Sequence, residues 1–479
     1  MALYECEICG YIFNESQEGT TWEDLPDDWT CPVCDADKTF FGMNEESAAE
    51  APEPPAAPDA GTDVSAADDG LSEYLREYRR ASDETESTFA DIQQIADTGE
   101  SIIEPMRTQR PVISWDDILF KGAQLAKIPL NKEETVTTQT IIGPKAKKPL
   151  VIETPVYITH MSFGALSREV KIAMAKGSAA VKTAMCSGEG GILPESLENS
   201  YKYIFEYVPH NYSVTEENLQ RADAIEIKIG QSAKPGLGGH LPGNKVTAEI
   251  AAIRGFEEGK DIISPAHFDD ILDKESLKEK VSWLRETSCG KPVGIKLAAG
   301  NIETDLEIVL FAEPDFITVD GRPGATGAAP KYIKSAASIP TLFALHRARK
   351  FLDESGTKDV SLVITGGLRT SADFARALAL GADAVAIGTA AMIACGCQQY
   401  RVCHTGRCPV GIATQDPALR ERLDIETSAK RLGNFLRVST EELKEFARLT
   451  GNDDVHKMSI GDLCTTNSEI SGFTDIEHV

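Results

Sequence analysis

The sequence predicts an α/β chain whose main body is a (β/α)8 TIM barrel, preceded by a small metal-knuckle domain. Three observations predict it. From about residue 151, short apolar runs alternate with helical stretches and Gly-rich turns, which is the rhythm of βα units on a parallel sheet. Eight such units fall within roughly 240 residues, which suits a closed barrel better than an open doubly wound sheet. Residues 1–42 stand apart, with two C-x2-C knuckles separated from the rest by an Ala/Pro/Asp-rich stretch.

The strand candidates are residues 154–160, 181–186, 224–229, 261–265, 293–298, 315–320, 361–365 and 384–388. Helix candidates fall at 166–180, 244–258, 274–287, 302–312, 340–354 and 371–380. The expected organisation is a metal-binding unit over 1–44, a disordered linker over 45–70 and a helical or irregular arm over 71–124. The barrel with its cysteine loop follows over 125–416, and a helix-prone extension over 417–479. The linker lacks any apolar period and reads as a tether. Such a tether keeps the first unit at high local concentration near the barrel.

Net charge narrows the partners. A formal charge of −27 argues against nucleic acid, whose phosphates want Lys/Arg patches. No apolar run reaches the roughly 18 residues of a membrane span, and the N-terminus shows no basic-then-apolar signal pattern. Seven of the eleven cysteines sit in tight motifs. That usage points to metal thiolates in a reducing, cytoplasmic setting.

The knuckles Cys6-x2-Cys9 and Cys31-x2-Cys34 offer four thiolates to one tetrahedral ion, iron or structural zinc. Tyr4, Tyr11, Phe13, Trp29 and Phe40 are expected to form a small aromatic core around them. Residues 3–43, with the Leu25-Pro-Asp-Asp-Trp29 stretch, resemble rubredoxin, although the loop between the knuckles is shorter. The resemblance implies a mononuclear iron with a one-electron role.

A barrel enzyme binds its cofactor at the C-terminal strand ends. The candidate cofactor-binding residues there are Met161, Ser162, Gly164, Ser187, Gln231, Lys296, Gly321, Gly366, Gly367, Gly388 and Thr389. Glycine turns after the last two strands form a phosphate cradle, because bare amides and helix N-termini favour an anion. A lysine at a strand end can sit against the pyrimidine edge of a flavin. Beyond the eighth strand, Cys397-x5-Cys403-x4-Cys408 is followed at once by Pro409. Three thiols so close are better cluster ligands than disulfide partners.

Residues from about 125 to 416 resemble the FMN-binding synthase domain of glutamate synthase. The matching stretches are MSFGALS, SGEGG, the KxxQxAKPGxGGxLPG run, Ile250-Ala-Ala-Ile-Arg254, Lys296, GGLRT and the cysteine-rich GTAAMIACGCQQYRVCHTGRCPVGIATQ. The resemblance implies FMN, a 3Fe–4S cluster on Cys397, Cys403 and Cys408, and reductive amination of 2-oxoglutarate with ammonia to L-glutamate through 2-iminoglutarate. Cys395 is a further thiol, badly placed to cap a corner of a four-iron cluster. By the same resemblance the catalytic set is Glu189, Lys228, Lys234 and Arg254. Lys234 and Arg254 would hold the carboxylates, Glu189 would line ammonia entry and help deprotonate ammonium, and Lys228 with Gln231 would approach flavin and substrate.

The chain departs from the family pattern at Leu237, usually Glu, and at His240, usually Gln. The segment around His267 also lacks the paired histidines of the bacterial enzyme. No glutaminase domain and no G-x-G-x-x-G dinucleotide fingerprint is seen. The expected partners are therefore an electron-donating reductase and a separate glutaminase or amidotransferase subunit, with electrons entering through the rubredoxin-like unit, and the chain is expected to oligomerise. Two other readings stay open: the FMN subunit of a methylamine–glutamate N-methyltransferase, and an electron-transfer subunit with no oxoacid of its own.

Overall fold

A computed structural model describes residues 3–6, 11–15, 20–26, 28–32, 36–43 and 80–479. Cys9, Cys34, the expected linker and the helical pattern around Leu71–Tyr78 lie outside the described residues. The chain divides into two compact units, Met1–Ile102 and Ile103–Val479.

In the first unit, Leu3–Cys6 lies between Ile12–Asn14 and Phe41–Met43 in an antiparallel sheet. The two knuckles close alike: the Cys6 amide donates to the Tyr11 carbonyl at 2.8 Å and the Cys31 amide to the Ala36 carbonyl at 2.7 Å. Both sulfur-bearing residues are buried. Trp22, which the sequence reading passed over, is the hub of the aromatic core. It stacks on Tyr4 at 4.5 Å and meets Phe13, Trp29 and Phe41 within 5.5 Å. Phe41 takes the inward place expected for Phe40: Phe40 ends the 3-10 turn Lys38–Phe40 and is 42% exposed, whereas Phe41 starts the strand that pairs with Cys6.

The second unit is built on a closed parallel barrel of eight strands. They are β1 (Val156–Ile158), β2 (Ala184–Cys186), β3 (Lys202–Tyr207), β4 (Ala224–Lys228), β5 (Val293–Ala298), β6 (Phe316–Asp320), β7 (Ser361–Thr365) and β8 (Ala384–Ile387). One strand expectation is corrected. The fourth candidate, residues 261–265, is not a barrel strand, since Ile262–Ile263 pairs antiparallel with His240–Leu241 outside the barrel; the missing strand is Lys202–Tyr207, between the second and third candidates. KYIFEY carries Lys and Glu within a short run, which hid it, while the Ile262–Ile263 pair of DIISP forms a short hairpin strand instead.

The floor of the barrel is filled by Tyr157, Cys186, Ile204, Phe316 and Val363. It is sealed by the hairpin Thr140–Ile142/Leu150–Ile152, whose Ile142, Leu150 and Ile152 belong to the same buried cluster. The outer helices begin at side-chain caps. Ser167 accepts from the Val170 amide at the start of α1 (Arg168–Ala180), and Asp273 forms a capping box at the start of α2 (Lys274–Thr287), each satisfying amides that the helix itself leaves bare. The 25-residue α3 (Ile425–Leu449) lies along α1. The expected arm and extension also meet, since Ile118–Phe120 pairs antiparallel with Leu463–Thr465.

The α1–α3 crossing is close because Gly177 and Gly433 face it. A Cβ on Gly177 would lie 2.9 Å from the Ala429 carbonyl oxygen and from Leu432 Cβ, whereas one on Gly433 would meet Ala180 Cβ at an ordinary 3.4 Å. Gly177→Leu is therefore expected to destabilise the barrel unit by about 1–3 kcal/mol through overpacking. Gly433→Ala should be neutral, or gain up to about 1 kcal/mol of helix propensity. Urea unfolding followed by circular dichroism checks the contrast.

Candidate active site

One large pocket opens at the C-terminal ends of the barrel strands, with about 1470 Å3 of empty space that includes its open mouth. The fold places charges there by strand alternation. Glu206 on β3, Glu226 and Lys228 on β4, Lys296 on β5, and Thr318 and Asp320 on β6 are all buried or nearly so. A charge taken from water costs several kcal/mol unless it is paired, so the pairing pattern decides which groups are left for a ligand.

Glu189 and Lys228 spend their charges on each other. Lys228 Nζ donates to Glu189 Oε2 at 2.5 Å, and the Ser264 hydroxyl donates to Oε1 at 2.6 Å. Burial alone would push the Glu189 carboxyl up, but the Lys228 ammonium, the Ser264 hydroxyl and Lys234 hold it well below the usual carboxylate range. Burial works against the Lys228 charge as well, yet Glu189 and Glu206 raise its pKa above the usual lysine value.

Below this pair, Gly188 donates its amide to His160 Nδ1 at 3.1 Å, and His160 Nε2 lies 3.1 Å from Glu226 Oε2. Thr318 donates to the other Glu226 oxygen. Burial opposes the Glu226 charge, but His160, Lys296 and Thr318 hold its carboxyl down. Lys171 on α1 is fully buried and donates to three carbonyls, Met161, Cys186 and Ser187, at 2.8–3.0 Å. Desolvation brings its pKa to about 7, against the pull of Cys186 and Glu206.

Two of the pocket's cations, Lys234 and Arg254, have no carboxylate partner among the described residues. Lys234 lines the pocket and is buried, and its pKa falls to about 8, first through desolvation and then through repulsion from Lys228. Arg254 closes the helix Ala248–Arg254 and is held under Phe163, whose carbonyl accepts from Nη2 at 2.7 Å, with the guanidinium over the Tyr212 ring. Its buried Nε has no partner among the described residues. Gly190 permits this seat, since a Cβ there would lie 2.9 Å from Arg254 Cζ. A buried ammonium and the planar fork of an arginine in one pocket suit carboxylate groups on a small ligand.

All four expected catalytic residues line this pocket, as do Met161, Ser162, Gln231, Lys296, Gly366, Gly367, Gly388 and Thr389. Gly164, Ser187 and Gly321 do not. Gly164 passes against Leu241 and Arg254, and Gly321 against Thr341. The Ser187 hydroxyl accepts from the Glu206 amide at 2.9 Å. His240 sits at the rim, with Nε2 2.8 Å from Asp261 Oδ2, and Leu237 is exposed away from the pocket. His160, Glu206, Ser264, Lys245 and Arg369 also line it, and none was assigned a role from the sequence.

The site fits a flavin phosphate at one end. Gly366 and Gly367 take φ of 113° and 90°, a region open to glycine, which keeps side chains off that turn. Gly388 caps the following helix with no side-chain acceptor over its amides. Lys296 has only a loose partner, Asp320 at 4.0 Å. The residues also fit a cluster. Burial raises the Cys403 pKa to about 12, with further upward pushes from Cys408 and Cys397, and burial and Cys408 likewise raise Cys397. Thiols near enough to repel as thiolates call for a polycation among them. Gln399 already donates its backbone and side-chain N–H groups to Cys397 Sγ at 3.4 and 3.2 Å. Cys403 Sγ touches Met106 Sδ at 3.8 Å, and both residues line the pocket. Cys395 is buried with its pKa raised to about 12 by desolvation.

Comparison with known proteins agrees with this geometry. The family model for the conserved region in glutamate synthase matches residues 92–453, and the rubredoxin model matches residues 3–41. A glutamate synthase large subunit-like protein of Rhizobium meliloti is 36% identical over 409 residues, covering 81% of this chain and 92% of the relative. An archaeal glutamate synthase (NADPH) of Methanocaldococcus jannaschii is 42% identical over 347 residues, covering 70% and 68%. An archaeal-type glutamate synthase (NADPH) of Thermotoga neapolitana is 38% identical over 378 residues, covering 74% and 75%. With its barrel closed over a cationic pocket and its cysteine loop beside it, the chain belongs to the glutamate synthase family and carries a rubredoxin domain at its N-terminal end.

Proposed function

We propose that the protein makes L-glutamate from 2-oxoglutarate and ammonia, with electrons entering through the rubredoxin iron and a three-iron cluster on Cys397, Cys403 and Cys408. The observation that carries the reading is the pair of cations left unspent in the pocket, Lys234 and Arg254. Arg254 offers its fork to one carboxylate, and Lys234 its ammonium to the other. Glycine turns at Gly366, Gly367 and Gly388 and the Lys296 ammonium would hold FMN, which when bound supplies the hydride that reduces 2-iminoglutarate. Ammonia adds to the keto carbon and the keto oxygen leaves as water. Glu189, locked as a carboxylate by Lys228, is a poor base for ammonium, so its part is to fix the Lys228 ammonium at the strand end. Lys234, with a pKa near neutrality, is the better group to hold and release a proton. An electron-donating reductase would load the rubredoxin iron, and a separate amidotransferase would supply ammonia.

Arg254→Leu should lower kcat/KM for 2-oxoglutarate by roughly 10- to 150-fold, the loss of a charge-assisted pair of about 1.5–3 kcal/mol, with KM for ammonium little changed. The assay is glutamate formation from 2-oxoglutarate and ammonium with a chemical reductant; glutamate formed instead only from other donors, or product only from methylamine plus glutamate, would overturn the reading.

The charged form of Lys234 binds carboxylate and is present below its pKa of about 8. KM for 2-oxoglutarate should therefore rise as pH climbs through and above that value. Lys234→Met should start from a high KM and lose this alkaline limb.

Cys31→Ala should remove the mononuclear iron and its visible absorbance. Reduction through a protein donor should fail, while turnover with a small chemical reductant survives. Equal donor-driven rates in both proteins would exclude the rubredoxin unit as inlet.

A further inference from the structure

A buried lysine that neither the pocket chemistry nor the thiol set accounts for lies between the two. Lys245 ends the short 3-10 turn Gly243–Lys245, is 4% exposed and lines the pocket. Its Nζ donates to the Cys403 carbonyl at 2.6 Å. Its stem packs against the loop between two of the thiols, since a Cβ on Gly406 would lie 3.2 Å from Lys245 Cε. The turn is itself anchored, with the Gly243 amide donating to Asp261 Oδ1 at 2.7 Å.

No carboxylate pairs with Lys245 among the described residues. Its ammonium instead meets the backbone of the thiol loop, at the Cys403 carbonyl. A buried ammonium with no carboxylate partner is costly unless an anion is built next to it.

We infer that Lys245 is the fixed counter-charge of the anionic centre bound by Cys397, Cys403 and Cys408, and that it raises the reduction potential of that centre while holding the Cys403 strand of the loop in place. The inference rests on the proposed cluster. A centre that takes up one electron becomes one charge more negative, and an immobile cation in a low-dielectric surround favours that state. Lys245 is thus a positioning and tuning residue, with no contact to the reacting carbon required of it.

The test uses the full protein with its cofactors. Wild type, Lys245→Gln and Lys245→Arg are compared by electron paramagnetic resonance of the cluster during a redox titration, with iron, sulfide and FMN content measured in parallel. Gln keeps a donor for the Cys403 carbonyl but removes the charge; Arg keeps the charge. The expected result is a cluster midpoint lowered by about 59 mV in Lys245→Gln, a tenfold shift in the oxidised-to-reduced ratio for one electron, with FMN content unchanged and Lys245→Arg closer to wild type. A Lys245→Gln midpoint equal to that of wild type overturns the inference. Loss of the cluster from Lys245→Gln alone, with rubredoxin iron and FMN retained and Lys245→Arg intact, supports the counter-charge by its more severe consequence. Loss from both variants overturns it, because shape and not charge would then be what the loop requires. A wild-type protein with FMN and rubredoxin iron but no cluster signal overturns the underlying reading, and is told apart from the other failures by the wild-type spectrum alone.

Discussion

The ion pair between Lys228 and Glu189 governs the chemistry of the pocket. Both groups come from loop or strand ends that the barrel brings within 2.5 Å, and each cancels the desolvation cost of the other. Without it, Glu189 would face Lys234 and Arg254 directly and would occupy the cations a dicarboxylate needs. With it, Glu189 is retained by Lys228 and Ser264, Lys234 is pushed toward neutrality by burial and then by the neighbouring ammonium, and Arg254 is left with an unpaired Nε among the described residues.

The same bookkeeping extends downward. His160, Glu226, Thr318 and Lys296 form one chain of partners, and Lys171 ties three carbonyls at the ends of β1 and β2. Networks of this kind stay rigid when every member is satisfied. Two atoms are exceptions: His160 Nε2 and Glu206 Oε1 have no hydrogen-bond partner among the described residues, and both residues line the pocket; an acceptor on Glu206 is available to a donor on whatever fills the site.

Much of this was legible in the sequence. Helix 274–287 is found with the expected bounds, because Asp273 and Ser276 spell a capping box and the apolar positions recur at helical spacing. Seven of the eight strand candidates overlap barrel strands, because each apolar run is short and bounded by turn residues. The eighth failed where tertiary context outweighed composition. Lys202–Tyr207 carries Glu206 because a strand end at the mouth of a barrel faces a polar cavity, whereas the apolar 261–265 covers a loop. The period-two pattern of AIEIK, with Glu226 and Lys228 on one face and Ile225 and Ile227 on the other, did announce a charged interior. Ser264, Lys245 and Trp22 carry no local signal: each matters through a partner more than fifteen residues away in sequence.

The hairpin that plugs the barrel floor has a consequence for traffic. Ile142, Leu150 and Ile152 fill the interior below the charged layer, so the barrel has no rear exit. Whatever binds above that floor enters and leaves past the strand ends, where Cys403 of the thiol loop and Met106 line the pocket.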